Sequence, residues 1–318
     1  MPLRTLLAWW LLVGAVVGQA AESRPDAAAP TKPLKIHVIG ASVSAGFEDG
    51  PLFGGEKQGD SVSLQVILRP WCDEHANVTM HPPLDMTGMF RDPLVVGERQ
   101  VSIAKKRKPD LVVAIDFPFW FAYGYVGDQE LQERADRLQK GLEMLAGLEV
   151  HVVLGDLPDM TGAARRMLNP RQIPSPKVLE SLSKQLREFV AKQERMHLVP
   201  LAALVAELKS AELRLPLRDG PLPVTPELML QGDRLHATRL GMAYLGLRLQ
   251  GALAELMPAD GALRKRDWGL EEFIAAAGAE PDLEAARAAA KDRAAKASAD
   301  KAAAGEAGRK QGGGDDGR

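Results

Sequence analysis

The segment Leu34-Lys35-Ile36-His37-Val38-Ile39-Gly40-Ala41-Ser42-Val43-Ser44-Ala45-Gly46 decides the fold class. An apolar run over residues 35–39 reads as a buried strand, and it breaks into a turn in which Ser42 stands between Gly40 and Gly46. Four more short apolar runs follow, at residues 77–80, 111–115, 150–154 and 196–199, each of which reads as a buried strand. Segments with helical spacing lie between them, at 130–148 and 177–193. Strand alternating with helix implies right-handed crossovers and a parallel sheet, and so a three-layer α/β/α sandwich. A dinucleotide-binding sheet would carry G-x-G-x-x-G after its first strand. Residues 40–46 read G-A-S-V-S-A-G, so dinucleotide binding is not expected.

A serine just beyond the carboxyl end of a parallel strand presents its hydroxyl and N–H to the crevice where such sheets bind ligands. The plainer reading is a strand-to-helix turn in which Ser42 or Ser44 satisfies backbone groups. A second element bears on the choice: Gly232-Asp233-Arg234-Leu235-His236-Ala237-Thr238 precedes a helical run over 239–256. A carboxylate three residues ahead of a histidine can fix the ring's tautomer and stabilise the imidazolium formed during proton transfer. Taken alone, that string also fits an exposed helix-capping turn.

Together the two elements resemble the SGNH/GDSL hydrolase family over about residues 35–256. G-A-S-V-S-A-G stands where the family has G-D-S-L, and D-R-L-H-A-T-R-L-G matches its D-x-x-H-x-x-x-x-G. The resemblance implies a flavodoxin-like five-stranded parallel sheet of order 2-1-3-4-5. It also implies a serine esterase that removes an acyl group from a small molecule or glycan without a cofactor. Ser42 would be the nucleophile, His236 its base and Asp233 the residue that orients the histidine. Ala41 departs from the family's aspartate. For the oxyanion hole, Gly88 fits the family's glycine by position, but the third strand ends in Ala114-Ile115-Asp116-Phe117 rather than G-x-N-D. Asp116 is expected beside the pocket, where a carboxylate would oppose a developing oxyanion unless protonated or paired. Phe117, Phe119, Trp120, Phe121 and Tyr123 crowd the same segment, as an apolar or sugar-stacking wall or as a core patch. The missing asparagine leaves a second reading open: a ligand-binding or scaffolding protein that keeps the fold without catalysis.

Composition sets the remaining bounds. The chain has 318 residues and a formal net charge of -2, which argues against nucleic-acid binding through bulk positive charge. Cys72 is the only cysteine, which excludes an internal disulfide and a cysteine-based zinc site. The histidines other than His236 (His37, His75, His81, His151 and His197) show no metal-binding spacing, so no metal is expected. Arg4, an apolar run over 6–17 and Gly18-Gln19-Ala20 read as a signal peptide over 1–20, placing the protein in the periplasm or outside the cell. The Trp9-Trp10 pair is also compatible with an uncleaved anchor. No second apolar segment of about 18 residues follows, so no membrane span is expected after cleavage. Residues 21–33 read as a linker, 34–257 as the hydrolase-like domain, and 258–318 as an Ala- and charge-rich extension, helical or disordered. Past Ala275 the extension shows no apolar stripe and is expected to stay solvated and contribute nothing to a site.

Overall fold

A computed structural model describes residues 33–48, 61–72, 76–256 and 267–311. The expected signal peptide, nearly all of the linker and His75 lie outside the described residues. Among those described, no helix is long and apolar enough to cross a membrane.

Five parallel strands, β1 (Leu34–Val38), β2 (Ala76–Met80), β3 (Leu111–Ala114), β4 (His151–Gly155) and β5 (Met196–Val199), form one sheet of order β2-β1-β3-β4-β5. This is the order the resemblance implies. At the centre of the sheet, β3 (LVVA) and Val152 to Leu154 of β4 read as unbroken apolar runs because both sheet faces are covered there. Leu111, Val113 and Val153 face one core, whereas Val112, Ala114, Val152 and Leu154 face the other. The first core is closed by α2 (Leu64–Cys72), α8 (Leu201–Lys209) and α10 (Arg239–Glu255). The second is closed by α4 (Pro93–Arg107), α6 (Glu130–Ala146) and α7 (Pro176–Val190). Local signals set several helix starts: the Asp92 side chain accepts Val95 N–H ahead of α4, and Thr238 Oγ1 accepts Gly241 N–H ahead of α10. Short helices α1 (Ser42–Ala45), α3 (Pro83–Thr87), α5 (Phe119–Ala122) and α9 (Pro226–Met229) sit in the connections.

Two features depart from the sequence reading. An antiparallel hairpin, β6 (Arg214–Leu217) with β7 (Gly220–Pro223), lies outside the main sheet, and its three prolines, Pro216, Pro221 and Pro223, hide it from strand patterning. The expectation that the chain past Ala275 has no docking face is corrected. Past that point Ala277, Ala279 and, in the first turns of α12 (Glu280–Gln311), Leu283 and Ala286 are buried in the first core, continuing the face that α11 (Leu270–Ala277) begins with Leu270, Phe273 and Ile274. Ala279, Leu283 and Ala286 follow helical spacing, but two of the three are alanines and vanish in an alanine-rich background. Salt bridges from Arg239 to Asp282 (3.2 Å) and from Arg287 to Asp219 (2.5 Å) flank the contact. From Lys291 to Lys301 every side chain is exposed, as expected of the extension.

His37 on β1 and His81 just past β2 are both buried. Burial pushes the His37 pKa down to about 4, assisted by the charges of Arg107 and His81, and burial lowers His81 as well. Both rings are therefore neutral in the fold at pH 7, whereas in the unfolded chain they take up protons near pH 6.5. Between those values the unfolded state binds more protons, so stability falls as the pH drops from 6.5 toward 4. We predict that His37 alone costs up to about 3 kcal/mol over that interval. Urea midpoints at pH 7, 5.5 and 4.5 should fall less steeply for His37→Gln than for the unaltered protein; equal slopes would refute this.

Candidate active site

The turn after β1 is held by groups from two other elements. Gln100 of α4, fully buried, clamps Gly40 with both ends of its amide: Gly40 N–H donates to Oε1 at 2.8 Å, and Nε2 donates to the Gly40 carbonyl at 2.9 Å. Asp116, two residues past β3, accepts N–H groups from Ala41 (2.9 Å), Val43 (2.9 Å) and Ser44 (3.1 Å), and the Ser44 hydroxyl at 2.5 Å. Gly40 has φ +150°, and a Cβ there would stand 2.2 Å from Asp116 Oδ1, so only glycine lets the carboxylate approach.

The second turn carries Asp233 and His236, both buried. Arg234 adopts φ 60°, which folds the chain back so that Asp233 Oδ1 accepts the N–H groups of Leu235 (2.8 Å) and His236 (3.0 Å). The other carboxylate oxygen, Oδ2, lies 2.5 Å from His236 Nδ1. Burial pushes the Asp233 carboxyl up, but its hydrogen bonds from His236 and Leu235 outweigh this and hold it below its ordinary value. A carboxylate at Nδ1 places the ring proton there and leaves Nε2 as an acceptor. His236 Nε2 lies 2.7 Å from Ser42 Oγ, across 194 residues of chain. The Phe47 ring packs on the imidazole with centroids 4.5 Å apart, and Gln231 Nε2 ties the Phe47 carbonyl (2.9 Å) to that of Ala237 (2.8 Å). Ser42, His236 and Asp233 thus converge in the order of a charge relay. A hydroxyl so placed can lose its proton to the imidazole as it attacks a carbonyl.

Ser42 and His236 open on a cleft of about 740 Å³. Trp120, Tyr125 and Phe90 line it together with Thr87, Arg91 and Gln172. The fully buried Arg134 of α6 secures its wall by donating to the carbonyls of Ala122 (2.8 Å) and Gly124 (2.9 Å) and, on the neighbouring loop, Arg171 (3.2 Å). The aromatic segment divides by position. All five rings are buried in the second core; of them Trp120 also lines the cleft and Phe119 a second cavity beside Ser42, while Phe117, Phe121 and Tyr123 line neither.

Both oxyanion or pocket candidates line a cavity that Ser42 also lines. Gly88 lines the cleft, but its N–H is directed at the Leu84 and Asp85 carbonyls that close α3. Asp116 lies beside Ser42 as expected, yet its oxygens serve four donors of the serine turn, which makes it a paired structural acid. Ser42 N–H opens the first turn of α1, where no intrahelical acceptor exists. Among the described residues, no group of three or more metal-ligating side chains occurs. His151 and His197 pair with each other, Nδ1 to Nε2 at 2.9 Å, at the start of β4 and β5. Gln100, Gln231 and Arg134 escaped the sequence reading because nothing local to a buried polar residue names its distant partner.

No protein-family profile and no curated protein matches the chain. Among solved structures it is similar to an acetyl xylan esterase, at 13% identity and TM-score 0.39, covering 69% of this chain and 100% of that one. It is also similar to a gut microbial diltiazem-metabolizing enzyme, at 10% identity and TM-score 0.43, covering 70% of this chain and 47% of that one, so the chain spans about half of that protein's length. The fold rests on the strand order itself, and these likenesses add no residue or activity to it.

Asp116→Asn tests the structural role. An asparagine offers one oxygen where two now accept, and turns its amide donors toward N–H groups. We expect a stability loss of about 2–4 kcal/mol, read by urea denaturation, because hydrogen bonds to a charged group contribute about 1.5–3 kcal/mol each. An unchanged midpoint would remove Asp116 as the organiser of the turn.

Proposed function

We propose that the protein is an SGNH/GDSL-type serine esterase that acts outside the cytoplasm and removes an acyl group from a small molecule or glycan. One observation carries the reading: Ser42 Oγ, His236 and Asp233 form a continuous hydrogen-bonded chain at the floor of a cleft. Ser42 Oγ attacks the ester carbonyl while its proton passes to His236 Nε2. Asp233 stays anionic and holds the Nδ1 proton. The tetrahedral intermediate places its oxyanion beside Ser42 N–H, then expels the alcohol, which leaves with the proton from His236. Water repeats the sequence on the acyl-enzyme: it gives a proton to His236, attacks the carbonyl and releases the acid as Ser42 recovers its proton. Asp116 fixes the turn from behind, so the asparagine of the family pattern has no counterpart and the hole rests more heavily on backbone N–H.

A fluorophosphonate probe should label Ser42, and labelling should vanish in Ser42→Ala. With a short-chain aryl ester, Ser42→Ala and His236→Ala should each lower kcat by about 10⁴-fold or more, and the double variant should be scarcely worse, because the two act as one unit. Asp233→Ala should cost less. A protein that keeps its melting temperature yet neither labels nor turns over any ester would instead be a ligand-binding protein retaining the fold.

Export is supported by Arg4, the apolar run over 6–17 and Gly18-Gln19-Ala20. Amino-terminal sequencing of the mature protein should begin at Ala21. Intact Met1 in a membrane fraction would point to an anchor instead.

A further inference from the structure

Ser42 and Leu235 line not only the cleft but also a second, narrower cavity of about 50 Å³. Leu201, Leu204 and Leu208 of α8, Leu245 of α10 and Met160 contribute to its wall. Leu201 and Leu208 both line it, so it follows α8 for seven residues, about 10 Å at 1.5 Å per residue. Its only polar lining residues among those described are Ser42 and Asp116, and the Asp116 oxygens already accept four hydrogen bonds. By volume it could hold water, since about 10–15 Å³ suffices for one molecule, but each water needs two to four polar partners. These walls do not supply them. Hydrocarbon suits the slot better than water does.

The cleft on the same serine is different in kind, being wide and lined by Thr87, Arg91 and Gln172 as well as aromatic rings. An ester carbonyl held at Ser42 carries an acyl chain on one side and an alcohol on the other. Two unlike cavities that share Ser42 and Leu235 in their linings therefore give the substrate a direction. We propose that the slot along α8 is the acyl site, taking a straight aliphatic chain longer than acetyl, while the alcohol portion occupies the cleft. The proposal rests on the esterase reading above and adds to it the acyl specificity.

Two measurements separate this proposal from that reading. For p-nitrophenyl esters from acetyl through butanoyl and hexanoyl to octanoyl, kcat/KM should rise about fourfold for each methylene buried and level off once the slot is full. Leu204→Phe, which fills the slot, should collapse the hexanoyl-to-acetyl ratio toward one. Leu208→Ala, which lengthens it, should move the plateau to longer chains. Independently of turnover, hexanamide should bind Ser42→Ala protein more than tenfold tighter than acetamide in calorimetry, and Leu204→Phe in that background should erase the difference. Equal affinities for the two amides, or a chain-length profile that neither variant alters, would overturn the slot assignment. Absence of turnover at every chain length, with the amide preference intact, would overturn the esterase reading and leave the slot as an aliphatic-chain site.

Discussion

Three backbone N–H groups and a hydroxyl of the serine turn end on one carboxylate, that of Asp116. A buried carboxylate is costly unless hydrogen-bonded, and a turn with several N–H groups converging needs an acceptor. Each therefore satisfies the other. The contact exists because β1 and β3 are neighbours in the sheet, so that their carboxyl ends open side by side. Ser42 owes its position to that adjacency, and the 2.7 Å contact with His236 depends on it.

The surroundings follow the same logic of satisfied buried polar groups. Gln100 clamps Gly40, Gln231 ties the Phe47 segment to the histidine turn, and Arg134 holds loops that wall the cleft. A partly satisfied network would be worse than an apolar core, so such groups fix one arrangement of their loops. They hold the cleft in shape, while the slot along α8 is bounded, apart from Ser42 and the already paired Asp116, by apolar side chains.

The first core reaches further along the chain than the sheet and the helices that flank it. Phe273 and Ile274 of α11 and Leu283 of α12 are buried in it, and full burial of one large apolar side chain contributes roughly 1.5–3 kcal/mol. The carboxyl-terminal segment therefore stabilises the domain at its start and becomes a solvated helix only beyond it. A docking stripe made largely of alanine has the composition of an exposed helix, and only its neighbours distinguish the two.

Hydrophobic period and turn chemistry are local, and they were legible: five buried strands, the helices between them, the serine turn and the D-x-x-H turn can all be read from the chain. The strand order and the meeting of Ser42 with His236 were readable only through the resemblance, because no local pattern joins residues 194 apart. What Asp116 does was decided by tertiary structure alone. A carboxylate at the end of β3 would be repelled by an oxyanion or bound by N–H donors according to which groups face it, and those donors belong to a turn more than seventy residues earlier. Gly88 shows the same dependence: it lines the cleft as its position suggested, but the direction of its N–H is set by the end of its own helix. Sequence determines which groups are present and how each segment folds locally; where a buried polar group points depends on partners that only packing brings within reach.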